Sequence, residues 1–190
     1  MPKQFDIAVV VGSLRRESVN RKAAEALTRL APENLAFEFV EIGDLPHYNE
    51  DVEEAGAPAS WSRFRERISA ADAVLFVTPE YNRSVPGALK NAIDVGSRPY
   101  GESAWAGKPA AVMTVSPGGI GWFGANHHLR QALVFLDMPV LQQPEAYVGG
   151  GFELFDDEGD FKSDGTRKFF QSFIDAFADW NDRLAVTRPE

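Results

Sequence analysis

Two apolar runs with no polar interruption, residues 7–11 and 73–77, each end abruptly in a polar loop that leads into a helix-forming segment. A run without alternating polar positions reads as a strand buried on both faces. Such strands belong to parallel sheets covered by helices on either side. The rest of the chain repeats the pattern. Strands are predicted at residues 5–11, 35–42, 73–77, 110–115 and 140–148, the last interrupted at Pro144. Helices are predicted at 19–30, around Trp61, Phe64 and Ile68, at 86–95, within 120–136, and at 166–184. Strict alternation with right-handed crossovers predicts an α/β three-layer sandwich, its five-stranded parallel sheet in the order 2-1-3-4-5. The switch point then lies between the first and third strands, which feed the two polar loops. Loops meeting at such a point form a cleft suited to an anionic ligand.

The first loop, Gly12-Ser13-Leu14-Arg15-Arg16-Glu17-Ser18-Val19-Asn20-Arg21, has the chemistry of a phosphate cradle. Glycine lets the backbone turn sharply as it leaves the strand. Ser13, Ser18 and Asn20 offer short polar side chains, and Arg15 offers a planar fork matched to phosphate oxygens. The helix from about Val19 adds free N–H groups and the positive end of its dipole. A plainer duty fits the same residues: Ser18 or Asn20 caps the helix and Arg15 is solvated. No Gly-Lys-Ser/Thr is present and only one glycine occurs, so this is neither a nucleotide P-loop nor the dinucleotide fingerprint. In the second loop, Pro79-Glu80-Tyr81-Asn82-Arg83-Ser84, Pro79 restricts the backbone and Asn82 tolerates a left-handed turn. Ser84 is placed to cap a helix near Pro86. Tyr81 either packs down or edges a flat ligand.

Other chemistries find little support. The acidic stretch 156–160 lacks the spaced ligands and final glutamate of a calcium loop and reads as a solvated turn. His127 and His128 would point about 100° apart on a helix, and His47 stands alone, so no metal site is expected. No serine sits in a nucleophile elbow, which argues against hydrolysis. With no cysteine there is no disulfide, thiolate metal site or redox dithiol, so redox chemistry would need a bound cofactor. A net charge of −9 without a basic stripe argues against nucleic acid or anionic membrane as a partner. No stretch approaches the ~20 apolar residues of a membrane span. The N-terminus enters the first strand almost at once, so a cytoplasmic location is expected. The 190 residues suit one domain over residues 1–190. Residues 149–163 read as a surface excursion, and Phe169, Phe173, Phe177 and Trp180 as the core stripe of the last helix.

Taken in order, these motifs resemble the NAD(P)H-dependent FMN reductase family, whose fold is flavodoxin-like, and within it the bacterial quinone, chromate and azo-compound reductases. The matching pieces are Gly12-Ser13-Leu14-Arg15 with Ser18 and Asn20-Arg21, then Pro79-Glu80-Tyr81-Asn82 with Ser84, Pro86-Gly87 and residues 89–94. Gly107-Lys108-Pro109 before a strand ending at Ser116, and His128-Leu129-Arg130-Gln131 with Leu136, complete the match.

The resemblance implies bound FMN, NADPH or NADH as co-substrate, and ping-pong hydride transfer to a small-molecule electron acceptor. It implies that Ser13, Arg15, Ser18, Val19 and Asn20 hold the FMN phosphate. Pro79, Glu80, Tyr81, Asn82 and Arg83 would run beside the isoalloxazine, with backbone N–H groups near Tyr81 and Asn82 donating to it. Ser116, Pro117, Gly118 and Gly119 would close over its pyrimidine end. Residues 117–124 are richer in aromatics than the family pattern leads one to expect. Trp122 and Phe123, with Tyr81, are therefore expected to wall the substrate pocket. No side-chain acid or base is required, because the flavin carries the chemistry. A dimer or tetramer is implied, and apolar positions on two helices (Leu89, Ala92, Ile93; Leu129, Leu133, Leu136) suggest the interface. One competing reading is a flavodoxin-type electron carrier or FMN-binding module without NAD(P)H activity of its own. A receiver-like phosphate-binding domain is disfavoured, since no acidic pair clusters at the end of the first strand.

Overall fold

The computed structural model describes residues 3–187. Five strands, β1 (Phe5–Val11), β2 (Leu35–Phe39), β3 (Ala73–Thr78), β4 (Ala110–Val115) and β5 (Ala146–Val148), form one sheet in the order β2-β1-β3-β4-β5. Every pairing is parallel, as the buried runs demand. The helices are α1 (Val19–Leu30), α2 (Glu50–Gly56), α3 (Ala59–Ala70), α4 (Gly87–Gly96), α5 (Phe123–Phe135) and α6 (Asp164–Thr187), with a short 3-10 turn at Gly151–Glu153.

Alternate residues of the central strands feed two separate cores. Val9, Leu75, Val77 and Met113 pack toward α1 and α6, where Ala23, Ala24, Leu27, Phe173 and Phe177 are fully buried. Ala8, Val10, Phe76 and Val112 pack toward α3, α4 and α5, around Trp61, Phe64, Trp105 and Leu129. The alanines of α1 let that helix approach the sheet closely. Its N-terminus thereby lies over the carboxyl ends of β1, β3 and β4.

Several details depart from the sequence reading, each for a physical reason. β2 ends at Phe39, not at residue 42, because only the Val40 N–H still reaches β1, at Val9 O (2.9 Å). Residues 140–141 make a separate bridge to Ala110 before Pro144 breaks the pairing, so β5 proper is shorter than expected. α2 was not expected: it is acidic, buries nothing, and is held by the Asn49 cap. In α6 the buried stripe is Phe170, Phe173, Ile174 and Phe177, while Phe169 and Trp180 are only partly covered. The 149–163 segment is no simple surface excursion, since Leu154 and Phe155 are buried and Phe155 stacks with Phe161 and Phe170. Leu89, Ala92, Ile93, Leu129, Leu133 and Leu136 are buried within the monomer. They are core, not surplus apolar surface.

Candidate functional site

Three loops converge on one cleft at the carboxyl edge of the sheet, between β1, β3 and β4. The first supplies Ser13, Arg15, Ser18, Val19 and Asn20, the second Pro79, Glu80 and Tyr81, the third Pro117 and Trp122. Close packing sets the first loop in place. A Cβ on Gly12 would lie 2.1 Å from Thr78 Oγ1, so the loop leaves β1 tight against the end of β3. The Gly12 N–H donates to Val77 O at 2.9 Å.

Ser18 caps α1, its Oγ accepting from the Arg21 N–H at 3.3 Å, and Ser13 Oγ accepts from the Arg15 N–H at 3.4 Å. Among the described residues, nothing accepts from the N–H groups of Val19 and Asn20. They stand free at the positive end of the helix dipole, an arrangement that receives an anion. Arg15 is exposed and has no acidic partner among the described residues. The expected role of the Asn20 side chain is corrected. Its amide is buried and spent on β4, with Nδ2 donating to Val115 O (3.1 Å) and Oδ1 accepting from Val115 N–H (3.2 Å). Asn20 thus ties the cradle to the sheet, and its backbone N–H alone is left without a partner among the described residues.

The second loop closes as a two-residue tight turn. The Tyr81 N–H donates to Ser84 O at 2.9 Å, the Ser84 N–H donates to Tyr81 O at 3.0 Å, and Asn82 and Arg83 both have positive φ (50° and 66°). Of the backbone N–H groups expected to donate to a flavin near Tyr81 and Asn82, that of Tyr81 is engaged within the turn. The Asn82 N–H has no partner among the described residues. The Tyr81 ring, 52% exposed, stands at the cleft mouth. Glu80 contributes backbone to the cleft, but its buried carboxylate points to α5. There Oε2 accepts from the Ala125 N–H at 2.9 Å, and Oε1 lies 3.5 Å from Arg83 Nη1. A Cβ on Gly124 would come within 2.8 Å of Glu80 Oε2, so glycine is required for this seat. Ser84 does not cap α4, whose N-cap is Pro86; its hydroxyl pairs with His128 Nδ1 at 3.0 Å.

In the third loop Ser116 is buried and locks the turn, accepting from the Gly118 N–H at 2.9 Å. Pro117 reaches the cleft, whereas Gly118 and Gly119 are exposed beside it, pressed by Gly149. Trp122, in the left-handed region, lines the cleft, and its Nε1 is buried without a hydrogen-bond partner. Phe123 does not wall the cleft. Its ring packs against His127 (4.1 Å, tilted) and meets Tyr147 edge-on (5.3 Å) instead. Burial, reinforced by Glu145, pushes the Tyr147 phenol up to about 12. Sequence reasoning missed Glu17, Val115 and Phe152, which also line the cleft. Phe152 arrives from beyond β5, and no local motif signals that placement. No cluster of metal-ligating side chains occurs among the described residues.

The free α1 N–H groups, the unpaired Arg15 guanidinium and the orphaned Trp122 N–H suit a phosphate joined to a flat polar ring, as in FMN. Comparison with known proteins agrees. The family model described as NADPH-dependent FMN reductase matches residues 5–153, and the chain belongs to that family. A quinone reductase of Pseudomonas putida is 67% identical over 180 residues, covering 95% of this chain and 96% of the relative. A 2-hydroxy-1,4-benzoquinone reductase of Burkholderia is 48% identical, covering 92% and 94%. Among solved structures, the flavoenzyme NAD(P)H:(acceptor) oxidoreductase FerB of Paracoccus denitrificans superposes with a TM-score of 0.90 at 47% identity, over 95% of this chain and 98% of FerB. The chain is an FMN-dependent NAD(P)H oxidoreductase, which sets aside the electron-carrier alternative.

Proposed function

We propose that the phosphate of FMN is held by the backbone N–H groups of Val19 and Asn20, by Arg15, and by the hydroxyls of Ser13 and Ser18. The ring lies along Pro79, Glu80 and Tyr81, with Asn82 N–H, Pro117 and the Trp122 N–H within its surroundings. The observation that carries this reading is the unpaired donor set at the N-terminus of α1, opening into a cleft edged by three aromatic side chains, Tyr81, Trp122 and Phe152. Bound FMN supplies two-electron chemistry, taking a hydride equivalent from NAD(P)H and passing electrons to a second substrate. The protein's own contribution is to anchor, orient and shield. Tyr81 at the mouth and Trp122 on the wall favour a flat acceptor by stacking, worth about 0.5–1.5 kcal/mol per pair beyond burial.

A quinone is the acceptor class that fits these walls, and relatives at 67% and 48% identity carry quinone reductase names. The chain acts as one FMN-binding domain in the cytoplasm, with no nucleic-acid partner. Among the described residues no helix is long and apolar enough to cross a membrane. Self-association as a dimer or tetramer uses the α4–α5 side, where Phe135 (85% exposed) and Val134 (74%) stand out. The test is steady-state oxidation of NADPH and NADH by the FMN-loaded protein against a panel of quinones, an azo dye and chromate. A kcat/KM highest for quinones supports the assignment. Equal or lower values than for chromate and the azo dye overturn it.

A further inference from the structure

A second cleft of about 410 Å³ opens on the other side of the phosphate loop. Residues 40–43 beyond β2 form one wall, and Ser13–Arg16 and Arg21 form the other. Its size falls within the range of small-molecule sites. Ser13 and Arg15 line both clefts, so the two are contiguous. The sequence alone shows no residue that would read a coenzyme ribose, because these groups lie on three different segments. The fold brings them together.

The charge distribution is unusual for this chain. The net charge is −9, yet three guanidinium groups, Arg15, Arg16 and Arg21, border this one cleft. Arg15 and Arg16 are exposed and have no acidic partner among the described residues. Arg21 lies 4.6 Å over the Phe39 ring, and its Nη2 is 2.7 Å from Glu41 Oε1. A guanidinium held at this spot by a ring and a carboxylate can also stack on a planar base. Among the described residues, Glu41 is the only carboxylate lining the cleft. It lies just beyond the second strand, where a carboxylate can accept from a ribose hydroxyl while the neighbouring guanidinium groups suit a phosphate. Here acid and arginine form one pair, and Arg16 adds a second guanidinium with no acidic partner among the described residues.

We infer that this arginine-lined cleft binds the adenosine end of the nicotinamide coenzyme, with Arg16 and Arg21 receiving the 2′-phosphate of NADPH. The inference rests on the proposed NAD(P)H-oxidising function and deepens it. The Glu41–Arg21 pair is the selector. Glu41 opposes the phosphate and serves the unphosphorylated ribose, so removing its charge favours NADPH. The local positive field also draws the anionic coenzyme toward an otherwise acidic protein.

The test is calorimetric titration of the FMN-loaded protein with 2′,5′-ADP and with 5′-AMP, probes that need no turnover. The wild type should bind 2′,5′-ADP about ten-fold more tightly or better, as charge-assisted contacts allow. Arg16→Ala should lose most of that preference while its FMN affinity stays unchanged. In turnover, Arg16→Ala should raise KM for NADPH and leave KM for NADH within about two-fold, because NADH carries no 2′-phosphate for Arg16 to meet. Glu41→Gln should shift the KM ratio toward NADPH. Equal affinity for the two probes in the wild type, or a preference that survives Arg16→Ala, overturns the assignment. A probe preference intact in a protein that oxidises neither coenzyme would uphold the cleft and refute the oxidoreductase function, so the two claims fail separately.

Discussion

Replacing Glu80 with alanine tests how the second loop is held in place. The Glu80 side chain is only 2% exposed, and its carboxylate accepts the Ala125 N–H at 2.9 Å in the first turn of α5. A hydrogen bond to a charged group contributes about 1.5–3 kcal/mol. The helix dipole favours a carboxylate at this end. The 3.5 Å contact with Arg83 adds little, because Arg83 is 72% exposed and solvent screens it. For a chain of this length each kcal/mol moves the melting temperature by roughly 2–4 °C, so Glu80→Ala should lower it by about 3–12 °C. Glu80→Gln keeps an acceptor oxygen but not the charge, and should fall between the two. Thermal unfolding of the FMN-free protein, followed by circular dichroism, is the assay because it removes stabilisation by the ligand. An alanine variant that melts with the wild type, or a glutamine variant as unstable as the alanine one, would refute the reasoning.

Three further outcomes follow from the site. Arg15→Ala should weaken FMN binding by about ten-fold or more, read by fluorescence titration; an unchanged dissociation constant would remove Arg15 from the phosphate site. Trp122→Ala should change the ratio of kcat/KM between a bulky quinone and a small acceptor several-fold while FMN stays bound, whereas a purely structural tryptophan would lower the melting temperature and leave the ratio alone. Tyr147 has a folded-state pKa raised to about 12, above the ordinary phenol value, so its contribution to stability is complete below about pH 10 and is lost as pH rises toward 12. Tyr147→Phe should therefore flatten the alkaline fall in melting temperature over that window, and an unaltered curve would contradict it.

The sheet order was legible because its signal is local. β1 and β3 carry continuous apolar runs, and helical segments alternate with the strands, so handedness leaves few topologies. The cleft's loops were legible for the same reason, each lying just after a strand. What failed was the direction of individual side chains. Asn20 looks like a phosphate ligand in sequence, but its two amide atoms match the Val115 N–H and C=O that packing places beneath it. Glu80 lies on the ligand loop yet turns toward α5, because Gly124 leaves room and Ala125 offers an N–H. Phe123 follows Trp122 directly, but the helix start at Trp122 turns it toward His127 and Tyr147. Phe152 was invisible because its place depends on the glycine-rich return after β5 packing on the Ser116 turn, where the Gly151 N–H donates to Ser116 O at 2.7 Å. The apolar residues read as surplus on α4 and α5 turn inward as core, and Val134 and Phe135 of α5 face out.

The central claim is that this cleft holds FMN that NAD(P)H reduces and a quinone reoxidises. Anaerobic stopped-flow mixing of the FMN-loaded protein with NADPH tests it directly. The visible absorbance of the oxidised flavin should bleach in a single turnover and return on mixing with a quinone, with both phases lost from protein that cannot retain FMN. Flavin that remains bound and oxidised in excess NADPH and NADH, or bleached flavin that no quinone restores, would contradict the account.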